Sequence, residues 1–230
     1  MRLLLLFLDE PLPGQVMKEV EKTAGPEAAV RSYRAMIRVL LRQLSGLKDC
    51  RVRICYAPED AEQAFRFWIL PEIIDRPKVL LTPEDLDFVA QGPGPRPAQL
   101  EHHFAIAFEE GFEKVAAIGS ECIEISARWI NAAFSQLNGR HHGILGPTPG
   151  GRCHLLALAD QMPSLFDRKL WEQPDLIAEL LRHAELHDRS FYQLPALTEL
   201  HTEADFNKAL LGPLGTQLRK AVKELKDNGG

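Results

Sequence analysis

The chain opens with an unbroken apolar segment, residues 3–8 (LLLLFL), which ends at an acidic pair and a proline. A run of this length is far shorter than the about 20 residues of a membrane span, and its polar and apolar positions do not alternate. This pattern is typical of a strand buried on both faces, as in parallel sheets covered by helices. The next segment, residues 11–14 (PLPG), favours a loop, because proline fixes φ and glycine permits positive φ. The first residues therefore predict an α/β layer fold.

Strand and helix patterns alternate along the rest of the chain. Apolar runs and alternating positions predict strands at 51–57, 114–118, 143–145, 153–158 and 190–194, with a short candidate at 79–81. Helical periodicity predicts helices at 26–44, 61–70, 100–108, 128–137 and 174–187, and two short helical stretches after Thr202. The segment 92–97 (GPGPRP) is predicted to be a surface loop. Together these predict a central, mostly parallel sheet with helices on both faces, and ligand sites at the carboxyl ends of its strands.

Length and composition fit one folded domain. The 230 residues are 45% apolar, and we assign 1–210 to this domain and 211–230 to its helical tail. The net charge of −5 argues against a dedicated nucleic-acid binder. Four cysteines without metal-type or paired spacing indicate free thiols of a reducing compartment. The apolar start lacks the length and the cleavage site of a signal peptide. We expect a cytoplasmic protein that binds no membrane.

Four segments occur in an order that carries a family resemblance. They are residues 7–16 (FLDEPLPGQV), 119–125 (GSECIEI), 145–158 (LGPTPGGRCHLLAL) and 195–206 (PALTELHTEADF). Over roughly residues 2–210, they resemble a family of predicted nucleotide-diphospho-sugar transferases with the GT-A fold. That family includes transferases proposed for arsenosugar biosynthesis and is distantly similar to molybdenum-cofactor nucleotidyltransferases. Its motifs are PxPGxVKTRL, QGxGDLGxRM, GSDCPDL, LGPAxDGGYYLLGL and DVDTPEDL.

The resemblance implies a single GT-A-like domain that moves a sugar from a nucleotide sugar to a small acceptor. The oligomeric state and the catalytic residues stay open. The resemblance implies a set of substrate-binding positions, to which the cations Lys18 and Arg96 beside its motifs are added. The full set is Pro11, Pro13, Gly14, Lys18, Arg96, Gly150, Gly151 and Trp171.

Several charged positions of the family motifs are replaced in this chain. Met17, Lys18 and Glu19 occupy the KTR positions, so a carboxylate stands where a diphosphate would meet a cation. Gln99 replaces another arginine, and Gly150 replaces an aspartate. Lys18 and Arg96 are displaced cations that could compensate. The losses leave a second hypothesis open, a catalytically inactive GT-A-like binding or assembly protein.

The acidic positions of the motifs change more conservatively. Glu121 stands for the aspartate of GSD, and Glu199 and His201 stand for the two aspartates of DVDT. The resemblance implies that Glu121 and His201, with Glu199 as a further candidate, bind a divalent cation, Mn²⁺ or Mg²⁺, that screens the diphosphate. The alternative is a loop carboxylate and a polar residue at a helix start.

Other candidate residues are ambiguous in sequence. A basic stripe on the first long helix is interpreted as a charged outer face, with an anion or partner surface as the alternative; it consists of Arg31, Arg34, Arg38 and Arg42. Cys122 has no neighbouring base and is interpreted as a structural thiol. Trp171 either walls the acceptor side of the pocket or is a half-buried core residue.

Overall fold

A computed structural model describes residues 1–74 and 81–227. Over these residues the chain forms one sheet in the order β3-β2-β1-β4-β6-β5-β7. Its strands are β1 (Arg2–Asp9), β2 (Cys50–Ala57), β3 (Leu86–Ala90), β4 (Lys114–Ile118), β5 (Gly143–Pro147), β6 (Cys153–Leu158) and β7 (Phe191–Gln193). Neighbouring strands run parallel except at β6, which is antiparallel to both β4 and β5. The predicted mostly parallel α/β sheet is confirmed.

Strand β1 lies at the centre of the sheet. Leu4 is in register with Val52 of β2 and with Ala116 of β4, and both pairings are parallel. The leucines of β1 are fully buried because helices cover both sides. Leu4 and Leu6 face one core cluster, whereas Leu3 and Leu5 face the other. The predicted strands at 3–8, 51–57 and 114–118 are thus parallel neighbours in one sheet.

Helices cover both faces of the sheet. They are α1 (Lys18–Ala24), α2 (Pro26–Gln43), α3 (Glu62–Ile74), α4 (Arg96–Glu109), α5 (Ala127–Gln136), α6 (Arg168–Trp171), α7 (Leu176–Leu186), α8 (Glu203–Leu211) and α9 (Gly215–Asp227). Helices α2, α3 and α5 supply one core cluster, and α4 and α7 supply the other. Of the helices in the described part of the chain, none is long and apolar enough to cross a membrane.

Two local predictions differ from the structure. The sequence patterns do not predict strand β3, because the charged residue Asp87 interrupts its short apolar run. The predicted loop at 92–97 ends at Pro95, since Arg96 and Pro97 form the first turn of α4. Proline is favoured there because the first helical positions need no N–H donor. Two residues of the strand candidate at 79–81 lie outside the described residues.

The C-terminal helices cover the outer face of α2. Leu218 and Leu225 of α9 share a core cluster with Met36 and Val39 of α2. Arg38 is consequently only 7% exposed and is ion-paired with Glu72 and Glu224. The interpretation of the basic stripe as a solvated outer face is therefore wrong at Arg38.

Candidate functional site

A cleft of about 580 Å³ lies at the carboxyl end of β4, between loops of several elements. This is the edge at which open α/β sheets place their ligands. The charged and polar residues around it come from α4, from the loop after β4, from the β5–β6 turn, from β6 itself, from the segment that joins α6 to α7 and from the segment before α8. They are Arg96, Glu121, Arg152, His154, Glu172, Gln173, Glu199 and His201.

A second cavity of about 250 Å³ adjoins the cleft, under the loop that follows β1. It is lined by Asp9 at the end of β1 and by Lys18 and Glu19 at the start of α1. Glu121 and His201 line both cavities and so mark their boundary. Burial raises the pKa of Asp9, the charge of Arg96 opposes this shift, and Glu121 adds to it.

Backbone contacts explain how Glu121 and His201 meet across the chain. The Leu200 amide donates a hydrogen bond of 2.8 Å to the Glu121 carbonyl, which joins the segment before α8 to the loop after β4. Gly119 lets the Glu121 carboxylate fold back over the loop, because a Cβ at this position would clash with that carboxylate. Glu121 and His201 consequently line the same two cavities.

The acidic residues do not form a closed metal site. Within the described residues no three side chains of ligand type lie close enough together to hold an ion. His201 Nε2 instead lies 3.2 Å from Glu199 Oε2, and this contact raises the pKa of His201, with Glu121 contributing. The donor set still fits Mg²⁺ or Mn²⁺, since Mg²⁺ is commonly bound through one or two carboxylates together with substrate phosphates.

Two arginines present positive charge to the larger cleft. Arg96 lies over the Phe7 ring, 4.6 Å from its centroid, and donates a hydrogen bond of 3.3 Å to Gln91. Arg152 stands on a turn that is closed by hydrogen bonds between Thr148 and Arg152, of 2.9 and 3.1 Å. Neither guanidinium has an ion-pair partner among the described residues. Sequence reasoning missed Arg152, although it stands in a resembling segment at a position where the family motif has glycine.

The loop after β1 faces the cleft less directly than expected. Pro11, Pro13 and Gly14 line neither cavity, and Lys18 lines only the smaller one. The Gly14 amide, at a φ of +77°, donates a hydrogen bond of 2.8 Å to the Glu21 carboxylate. The Glu21 carboxylate thus already accepts the hydrogen bond that this loop amide could donate to a ligand.

The predicted acceptor-side residues divide between the cleft and the core. Gly150 lines the cleft, whereas Gly151, at a φ of +73°, packs against the start of α7. A Cβ on Gly151 would lie 3.1 Å from Asp175 Oδ1. Trp171 lines the cleft and also stacks on Phe166, and its Nε1 donates to the Leu165 carbonyl at 2.9 Å. Trp171 therefore fits both of the alternatives stated for it.

A buried imidazole forms part of the cleft wall. His154 is 4% exposed, and neither of its ring nitrogens has a hydrogen-bond partner among the described residues. Burial lowers the pKa of His154 to about 4, so the ring is neutral near pH 7. Cys122 also lines the cleft, but burial raises the pKa of its thiol to about 12, which favours the structural role predicted for it.

The architecture is that of solved nucleotide-sugar and nucleotide transferases. A crystal structure described as a putative nucleotide-diphospho-sugar transferase from Desulfovibrio desulfuricans G20 is 22% identical, with a TM-score of 0.77 over 96% of this chain and 97% of that one. The 4-diphosphocytidyl-2C-methyl-D-erythritol synthase of Anaerococcus prevotii is 11% identical, with a TM-score of 0.60 over 91% and 94% of the two chains. A cytidylyltransferase from Leptospira borgpetersenii is also 11% identical, with a TM-score of 0.52 over 99% and 94%. The GT-A-like fold class is thereby shown.

The chain belongs to the family described as "Uncharacterized protein conserved in bacteria (DUF2064)". The model of that family matches residues 40–173, which include β4, the β5–β6 turn and Trp171. No curated protein matches the chain in sequence.

Proposed function

We propose that this protein is a nucleotide-diphospho-sugar transferase that binds its donor in the larger cleft and moves the sugar to a small acceptor. The observation that carries the proposal is the cleft itself. It opens at the carboxyl end of β4 and combines guanidinium groups that have no ion pair among the described residues with the carboxylate of Glu121. Its volume of about 580 Å³ is in the usual range for a small-molecule site. The fold that it shares with solved transferases supports this choice.

The charges around the cleft suit a ligand with an anionic centre. A diphosphate that leaves water needs cations or oriented N–H donors around it. Arg96 and Arg152 supply guanidinium groups in the larger cleft, and Lys18 supplies an ammonium group in the adjoining cavity. The acceptor would lie towards Gly150 and Trp171, where the indole ring of Trp171 forms part of the cleft wall.

A divalent cation is part of the proposal. Glu121 would bind Mn²⁺ or Mg²⁺ together with the diphosphate, with Glu199 or His201 as a further ligand. When bound, such an ion stabilises the charge that develops on the leaving diphosphate. Because His201 is hydrogen-bonded to Glu199, a neutral ring and a broken contact would be needed before His201 could ligate.

A second candidate function has its own observation. The loop after β1 contains Glu19, and its Gly14 amide is hydrogen-bonded to Glu21. Both features disfavour an anion at the position where the resemblance implies diphosphate binding. They support a GT-A-like protein that no longer transfers sugar and acts as a binding or assembly module.

A thermal-shift panel of UDP-, GDP-, CDP- and dTDP-sugars, with and without Mn²⁺, tests the proposal. Ligands that bind the native state raise the unfolding midpoint. We expect one nucleotide class to do so in a Mn²⁺-dependent way, and Glu121→Gln to remove the Mn²⁺ dependence. Glu203→Gln is the matched control, because Glu203 is exposed on α8 and lines neither cavity. Binding without release of nucleotide diphosphate over a range of acceptors would favour the inactive protein.

A further inference from the structure

The two free arginines of the larger cleft define where the diphosphate lies. We infer that the diphosphate of the donor is held between Arg96 and Arg152, and not by the loop after β1. This inference rests on the proposed function and deepens it, since it names the residues that recognise the anion and moves the anion away from the loop that the resemblance implies.

The smaller cavity has the wrong charge for a diphosphate. Its lining includes the carboxyl groups of Asp9, Glu19 and Glu121 against the single ammonium of Lys18. Glu19 is ion-paired with Lys22 at 2.5 Å, which leaves the carboxyl groups of Asp9 and Glu121 facing Lys18. Burial raises the pKa of Asp9, so the charged form of this carboxyl group is already disfavoured. A further negative charge beside it would be disfavoured as well. The Gly14 amide, which faces Glu21, is not available to a phosphate oxygen. A diphosphate placed under this loop would meet like charges.

The larger cleft has a charge balance that favours an anion, in contrast to the smaller cavity, once the ion pairs of its lining residues are counted. It is lined by three carboxylates, of which Glu199 is hydrogen-bonded to His201 and Glu172 is ion-paired with Arg168 at 2.5 Å. Arg96 and Arg152 have no such partners among the described residues. Two guanidinium groups without an ion pair among those residues therefore line this cleft beside Glu121, and the charge of Arg96 also acts on Asp9. In contrast, the buried guanidinium of Arg53 elsewhere in the chain is paired with Glu110.

The side chain of Arg96 is held in place before any ligand binds, whereas at Arg152 it is the backbone that is fixed. Arg96 is stacked on Phe7 and hydrogen-bonded to Gln91, and the Gln91 amide donates at 2.8 and 3.0 Å to carbonyls of β1 and β2. Arg152 extends from a turn closed by two hydrogen bonds to Thr148. Guanidinium groups bind phosphate oxygens through paired N–H donors, and less entropy is lost when the side chain is already ordered.

Calorimetric titration at low salt with inorganic pyrophosphate and with UDP tests the inference. We expect saturable binding of pyrophosphate by the wild-type chain, weakened about 10- to 100-fold in Arg96→Gln and in Arg152→Gln. Arg128→Gln is the matched control, because Arg128 is exposed on α5 and lines neither cavity. Circular dichroism and the unfolding midpoint confirm that each variant folds.

The outcomes separate the inference from the proposed function. No pyrophosphate binding by the wild type, or unchanged binding in both arginine variants, overturns the inference. A large loss in Lys18→Gln, or tighter binding by tenfold or more in Glu19→Arg, would place the anion in the loop and overturn it as well. If binding depends on Arg96 and Arg152 but no nucleotide sugar is turned over, the inference holds and the proposed transfer fails.

Discussion

The ion pair that fastens α2 to α3 and α9 gives a prediction about stability. Arg38 donates to Glu72 through Nε, at 2.7 Å, and through Nη2, and it donates to Glu224 through Nη1 at 3.3 Å. The side chains of Arg38 and Glu72 are only 7% and 11% exposed, so solvent screens them little. Substitution of either residue alone should remove the two hydrogen bonds that join these buried charged groups.

The expected magnitudes follow from this burial. Removal of one partner of a buried pair costs about 3–5 kcal/mol, so we expect a loss in this range for Arg38→Met. Glu72→Gln keeps one acceptor and leaves Glu224 beside Arg38, so its cost should fall at about 2–3 kcal/mol. For a chain of this size, a loss of 3 kcal/mol lowers the unfolding midpoint by about 6–12 °C. The double variant Arg38→Met/Glu72→Met should cost less than the sum of the two single variants, because both charges of the most buried contact are removed together and Glu224 keeps its ion pair with Lys220.

Urea denaturation of the four proteins provides the double-mutant cycle, with the midpoint and slope fitted separately. Arg31→Met is the control, since Arg31 belongs to the same basic stripe but has no ion pair among the described residues. If Arg38→Met costs less than about 1 kcal/mol, as an exposed ion pair would, the buried pair is not what holds these helices together.

Three further predictions concern the cleft and its surroundings. Burial lowers the pKa of His103 and of His154 to about 4, from 6.5 in the unfolded chain, so the unfolded state binds more protons between these values. The free energy of unfolding should therefore fall as the pH drops from 6.5 to 4, by about 1.4 kcal/mol per pH unit for each histidine. Urea titrations at pH 7, 5.5 and 4.5 would detect this fall, and a free energy of unfolding that does not change with pH would contradict it. His154→Leu removes two unpartnered buried nitrogens, so the free energy of unfolding at pH 7 should stay the same or rise by up to about 1 kcal/mol, and its pH dependence should weaken. A clear loss of stability in the same titrations would show that the ring has a partner. Gly119→Ala should displace the Glu121 carboxylate, so that about tenfold more ligand is needed for the same Mn²⁺-dependent thermal shift. Gly139→Ala serves as the control, because the space around its Cβ position is open. Equal shifts in both variants would mean that the position of Glu121 is irrelevant to binding.

The sheet was predictable because burial on both faces leaves a local trace. Six consecutive apolar residues in β1 required a central strand, and the loops that follow the strands could be ordered along one edge. Strand β3 left no such trace, since only one of its sides is strongly apolar and Asp87 pairs with arginines of β2. Arg38 shows the same limit for helices. Periodicity identifies the polar face of α2, but not that α9 covers part of it.

The candidate site was only partly predictable, for a physical reason that its residues share. Glu121 and His201 could be placed on one pocket by the order of the motifs, but the contact that joins them is a backbone hydrogen bond from Leu200, which no side-chain pattern reveals. Arg152 escaped notice because an arginine beside a glycine turn looks like an ordinary surface residue until its surroundings are known. Its significance depends on which carboxylates the folded chain places beside it, and none of the described residues forms an ion pair with it. The charge of an anion site is therefore set by which ion pairs form elsewhere. Here Glu172 is ion-paired with Arg168 and Glu199 is hydrogen-bonded to His201, whereas Arg96 and Arg152 have no ion pair within the described part of the chain.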